Sequence, residues 1–147
     1  MKFVSSSKIL AASALFALAA PAYAGTVTVR VNGVSDVGGT IYVSVQNREQ
    51  FMTDDATETT IIKAPKPGSH TLTYDVPDGE YVVSVWHDDN NNGQFDKDEY
   101  HTPRDGWAMV NGERLRGEPQ FDQVKTTVSG SLSTIDLNMV YFMGSRG

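Results

Sequence analysis

The chain is expected to fold as an all-β protein: a single antiparallel β-sandwich of about seven strands, with a loop insertion after one of them. Three observations lead there. Nearly every periodic segment alternates apolar and polar residues with period two. Clusters of Gly, Pro, Asp and Ser separate these segments at regular intervals. Only one short stretch, near residues 48–55, has a helical pattern.

The elements follow in order. Residues 1–24 begin with basic Lys2 and Lys8, continue through an apolar run over 9–20, and end in the small-x-small site Ala22-Tyr23-Ala24. That is the pattern of a secretory signal peptide, with an apolar core too short to span a membrane comfortably; an uncleaved anchor is the alternative. The mature chain, 25–147, is expected to start at Gly25 and to form one domain. Its first strand alternates Val27, Val29 and Val31 with Thr26, Thr28 and Arg30. After the Gly38-Gly39 turn, Ile41, Val43 and Val45 alternate with Tyr42, Ser44 and Gln46. Asp54, Asp55 and Glu58 are read as the end of the short helix and a solvated turn. Beyond Pro65-Lys66-Pro67-Gly68 come Leu72, Tyr74 and Val76. Pro77-Asp78-Gly79 then turns the chain into Tyr81, Val83 and Val85, with Val82 and Trp86 on the opposite face. After Ser129-Gly130 a last strand places Ile135, Leu137, Met139 and Tyr141 on one side. A small outer-membrane barrel would need at least eight long strands and aromatic girdles, which the sequence does not offer.

The most informative stretch follows the strand ending at His87. Residues 88–99 fill the pattern D-x-[DN]-x-[DN]-G-x5-E at every fixed position. Asp88, Asn90 and Asn92 offer side-chain oxygens, Gln94 its backbone carbonyl, Asp96 and Glu99 further carboxylates. Gly93 stands where the backbone must turn sharply. Calcium (Ca2+) takes six to eight hard oxygen ligands, and a curled, oxygen-dense segment supplies them. No helix precedes the loop, so its chemistry occurs here without the helix pair of an EF-hand. A solvated acidic turn between two strands is the alternative.

Charge and cysteine content narrow the partners. Twelve basic and eighteen acidic residues make the chain acidic, and setting aside Lys2 and Lys8 leaves ten against eighteen. Phosphate backbones would be repelled, so a nucleic-acid partner is not expected. With no cysteine there is no disulfide, no thiol chemistry and no lipid attachment at an N-terminal cysteine. A domain of this size can bury one core, and a cation bound only by the folded state would add to its stability.

Signs of catalysis are few. The sequence has no G-x-S-x-G elbow, no P-loop and no H-E-x-x-H. His70, His87 and His101 lack ligand spacing, although His87 and His101 flank the loop and could together suggest zinc or copper. Met139 and Met143 could suggest a copper binder, but at strand period they lie on one side of the last strand, where packing is the simpler reading. Tyr100, Arg104 and Trp107, with Pro103, form a candidate contact for a sugar or peptide, or a flap sealing the sandwich end.

Five runs occur in order: Gly39-Thr40-Ile41-Tyr42-Val43, Gly79-Glu80-Tyr81, His87-Asp88-x-Asn90-x-Asn92-Gly93-x-x-Asp96, Thr102-Pro103-Arg104-Asp105-Gly106-Trp107 and Pro119-Gln120-Phe121-Asp122. Together they resemble the secreted bacterial proteins grouped as domain of unknown function 2141, over residues 25–141. The resemblance implies an exported sandwich of transthyretin, immunoglobulin or collagen-adhesin-B type, with Asp88, Asn90, Asn92 and Asp96 in its acidic turn. Glu99 is an addition to that pattern, and Ala108 and Val110 depart from it where Gly and Ser are expected. The expected function is therefore a non-enzymatic, exported calcium-binding module, periplasmic or extracellular. A carrier or adhesion module binding a small ligand or glycan near Trp107 ranks second, and a hydrolase with a site built from separate loops ranks last.

Overall fold

The computed structural model of the chain describes residues 25–130 and 132–142; the expected signal peptide and Met143 lie outside them. Strand β1 (Gly25–Val34) buries Val27, Val29 and Val31 and turns the residues between them outward, as its alternation requires. It lies at the centre of a three-stranded sheet. The antiparallel partner β4 (Gly68–Val76) pairs Val29 with Leu72 and Val27 with Tyr74. The other partner, β8 (Leu132–Asn138), pairs Val29 with Ile135 and Val31 with Leu137. That pairing is parallel, and it is the one parallel contact among the described strands.

The second sheet has five strands. Its main path is β3 (Glu58–Lys63), β2 (Thr40–Gln46), β5 (Gly79–Asp88) and β6 (Gly106–Met109), and β7 (Thr126–Val128) pairs the start of β5. Ile41, Val43, Val45, Tyr81, Val83 and Val85 face the first sheet and join Val27, Val29, Val31, Tyr74, Ile135 and Leu137 in one core. Each such side chain taken out of water contributes roughly 1.5–3 kcal/mol. Across the gap, the Tyr74 hydroxyl donates to Thr60 Oγ1 at 2.9 Å. The two sheets form a β-sandwich, and no helix among the described residues is long and apolar enough to cross a membrane.

Residues 48–55 are not a helix. They form a series of turns that Gln46 holds open: its amide donates to the carbonyls of Gln50, Thr53 and Asp55 at 3.0, 3.0 and 2.7 Å. Those carbonyls are thereby taken out of any helical ladder, and Met52 at φ 63° breaks the right-handed run. Glu58 opens β3 instead of closing a helix. Among the described residues the one α-helix is α1 (Phe121–Val124), with a reciprocal Gln120–Gln123 capping box. It packs Phe121 and Val124 on Val82, with Phe51, Met109 and Leu115 around them, as a second small core on the outer face of the five-stranded sheet.

Candidate functional site

Strand β5 ends in two fully buried polar residues, His87 and Asp88. His87 donates from Nε2 to the Gly38 carbonyl at 2.6 Å, since a carbonyl can only accept. The Tyr141 hydroxyl, which accepts the Ser35 N–H at 3.1 Å, then donates its proton to Nδ1 at 2.8 Å. His87 is thus engaged at both ring nitrogens. His101 sits exposed at φ 63° on a loop tip, so the two histidines do not form a metal pair. Gly39, at φ 74°, lets the β1–β2 turn lie directly against the Asp88 carbonyl.

From this base the loop curls as its residue types dictate. Both carboxylate oxygens of Asp88 accept backbone N–H groups, from Asn92 at 3.1 Å and Gly93 at 2.9 Å. Gly93 turns at φ 73° and Asn91 at φ 54°, in the left-handed region that Gly and Asn tolerate best. Asn91 is also tied back to β2 by the Thr40 hydroxyl at 2.7 Å. The oxygens of Asn90 and Asn92 accept the N–H groups of Asn92 and Gln94 in successive Asx turns. Their amide nitrogens converge on one oxygen, Asp96 Oδ2, at 2.9 and 2.8 Å.

Four of the sequence-predicted ligands, Asp88, Asn90, Asn92 and Asp96, are therefore gathered by one hydrogen-bond cluster. Among the described residues no three His, Asp or Glu side chains form a metal-holding group. A cation here would meet two carboxylates plus amide and backbone oxygens. That all-oxygen donor set suits a hard ion better than zinc or copper, which favour nitrogen and sulfur ligands. The two amide groups now supply the positive ends that balance Asp96. To present an oxygen on that side, each amide would have to turn over and give up the backbone N–H that its Oδ1 now accepts.

Beyond Asp96 the chain forms a small hairpin rather than a helix, closed by Arg104 N–H to Asp96 O at 2.7 Å and Asp98 N–H to Thr102 O at 2.9 Å. Glu99, Tyr100 and His101 occupy its exposed tip, Tyr100 at 79% exposure. Glu99 is joined to none of the hydrogen bonds of the Asp96 cluster. Asp98 caps the tip: the Thr102 N–H, then the Tyr100 N–H and Arg104, hold its carboxyl below the usual range against partial burial. Arg104 reaches Asp98 at 3.8 Å and lies over the Phe142 ring at 4.8 Å. Asp89, Asn90, Asp96, Lys97, Arg104 and Asp105 line a cleft of about 370 Å3.

Two features escaped the sequence reading. Asp105, 1% exposed, accepts the Trp86 indole N–H at 2.7 Å and the Asp96 N–H at 3.1 Å, bolting the loop to strand β5. Burial pushes its carboxyl up, against those two hydrogen bonds, and the charges of Asp96 and Asp89 add to the rise. The second is a row of side chains across the outer face of the five-stranded sheet. Ile61, Tyr42, Trp86 and Trp107 are successive cross-strand neighbours on β3, β2, β5 and β6. Tyr42 stacks on Trp86 at 4.7 Å between centroids, and Phe95 from the loop meets Trp86 edge-on at 6.3 Å. Trp107 thus belongs to the sheet, and its backbone seals the sandwich end by a two-bond bridge to Val140.

A family model described as "Uncharacterized protein conserved in bacteria (DUF2141)" matches residues 29–136. The chain belongs to this family. The DUF2141 match spans the gathered loop, Asp105 and the aromatic row, whereas Tyr141, the partner of His87, lies beyond it. Comparison with curated proteins gives no match, and comparison with solved structures gives none either.

Proposed function

We propose that this DUF2141 chain is an exported, non-enzymatic β-sandwich module whose β5–β6 loop binds calcium in a structural role. The observation that carries the reading is the convergence of Asn90 and Asn92 on Asp96 above the buried Asp88, in a segment that also fills the calcium-loop pattern. The signal-like residues 1–24 support export to the periplasm or the cell exterior.

The loop is held at both ends by β5 and β6 and has no helix pair to open, so binding is expected to stiffen it rather than to switch the fold. With Asn at two of the ligand positions and Glu99 on the hairpin tip, affinity is expected to be low, about 10⁻⁵–10⁻³ M, as in extracellular modules. Magnesium should compete poorly because it demands a tight octahedral shell.

The test is calorimetric titration of chelator-stripped protein with calcium, magnesium and zinc, together with melting in calcium and in chelator. At a hundredfold excess over the dissociation constant, calcium should add about 2.7 kcal/mol. Asp96→Ala, which leaves the backbone turn at Gly93 intact, should remove that gain. Identical melting of the wild type with and without calcium overturns the reading.

A further inference from the structure

The outer face of the five-stranded sheet carries two parallel rows between walls. One row is Ile61, Tyr42, Trp86 and Trp107; the next, two residues along each strand, is Thr59, Ser44, Ser84 and Met109. At normal strand spacing each row crosses about 14 Å of sheet, and the two lie about 6.8 Å apart. On one side the loop rises over Trp86, bringing Phe95, 40% exposed. On the other, α1 and Phe51 cover Val82. The strip between them contains no charged side chain, on a protein of net charge −6.

A trough with an aromatic row, a hydroxyl row and no charge matches the surface of a neutral sugar chain. Such a ligand presents apolar C–H edges to rings and hydroxyls to hydroxyls, and brings no charge to pair. A charged polymer would find no counter-charge in the two rows; the cations nearby, Lys97 over Phe95 and Arg48 over Phe121, stand in the walls. An apolar protein surface would leave the Thr59, Ser44 and Ser84 hydroxyls without partners, which is costly once water is excluded. We propose that this trough is a binding surface for neutral oligosaccharides, with Tyr42, Trp86 and Trp107 as its floor and Ser44 and Ser84 as polar contacts. The strands build the floor, so the proposal stands apart from the calcium reading.

The experiment titrates purified protein, in saturating calcium, with cellohexaose, xylohexaose and chitohexaose, and with a hexamer of galacturonic acid as the charged comparison. Tryptophan fluorescence and calorimetry are the readouts. At least one neutral hexaose should bind saturably and shift the emission, because Trp86 and Trp107 lie in the floor. Tyr42→Ala should weaken binding about tenfold or more, the worth of one well-placed ring contact, while Tyr42→Phe should keep most of it. Ser44→Arg, projecting into the trough without disturbing the rings, should abolish binding at an unchanged melting temperature. Failure of all three neutral hexaoses to bind, preference for the charged hexamer, or wild-type binding by both Tyr42→Ala and Ser44→Arg overturns the proposal.

Discussion

Substituting the two adjacent glycines of the β1–β2 turn separates backbone strain from steric contact at the base of the loop. Gly38 and Gly39 have φ of 80° and 74°, so alanine at either costs about 1–2 kcal/mol in left-handed strain. A Cβ on Gly38 meets nothing within 4 Å, whereas one on Gly39 would fall onto the Asp88 carbonyl oxygen and lie 2.7 Å from Asp89 Cα. Backbone cannot swing aside like a side-chain tip, so about 1–3 kcal/mol more is needed to shift the two segments apart. Gly38→Ala is therefore expected to cost about 1–2 kcal/mol and Gly39→Ala about 2–5, out of a total near 5–15 kcal/mol. At about 4 °C per kcal/mol for a domain of this size, the melting temperatures should fall by about 4–8 °C and about 8–20 °C. Any gain from stiffening the unfolded chain is common to both and cancels. Gly39→Ala should also weaken calcium binding, because the shift moves Asp88. If the two variants melt together, the close approach of this turn to Asp88 is not real and the described base of the site is wrong.

Further outcomes follow from the ionic and polar contacts. Asp122 lies beside Arg48 at 2.6 Å and Lys125 at 3.1 Å, and these, Arg48 foremost, hold its carboxyl down to about 2. A lowered carboxyl stabilises the fold above its unfolded value near 4 and loses that contribution as pH falls towards 2. Melting should therefore decline across that window, and less steeply in Asp122→Asn or in high salt. Asp105→Asn keeps an acceptor for Trp86 and the Asp96 N–H while removing a buried charge, so chelator-treated protein should melt higher by calorimetry. Gln46→Leu strands the Thr53 and Asp55 carbonyls, while that of Gln50 keeps the Thr53 N–H and hydroxyl; a loss of about 1–3 kcal/mol and faster amide exchange confined to that turn are expected.

How far the sequence reveals this molecule depends on whether a residue acts through its neighbours in the chain or across the fold. The Val27–Val31 and Ile41–Val45 alternations are local, and they became β1 and β2 as read. β3 was hidden because Ile61 and Ile62 are adjacent and apolar although only Ile62 packs against the core, which blurs the period of two. The helical pattern at 48–55 lost to Gln46, whose three-fold hydrogen bonding no periodicity reports. Within the loop, Asp88 to Asp96 lie close in sequence and their meeting was legible. Glu99 fits the pattern of a loop that enters a helix, but here the chain turns back as a hairpin. Asp105 and Tyr42 become neighbours of the site only through β-pairing and the indole of Trp86, so a linear pattern could not find them.

The parallel pairing of β1 with β8 also has a bearing on the timing of folding. Thr26 sits opposite Leu132, so the central strand of the three-stranded sheet gains its second partner only once residues 132–138 have been synthesised. Contacts of such long sequence separation form late, because the entropy of closing the intervening chain comes before any reward. A chain that emerges strand by strand can assemble the hairpins β2–β3 and β5–β6 but must leave one edge of β1 open. Completion of the three-stranded sheet is therefore the closing event of assembly, and any fragment that stops short of Leu132 should keep that edge of β1 open to other strands.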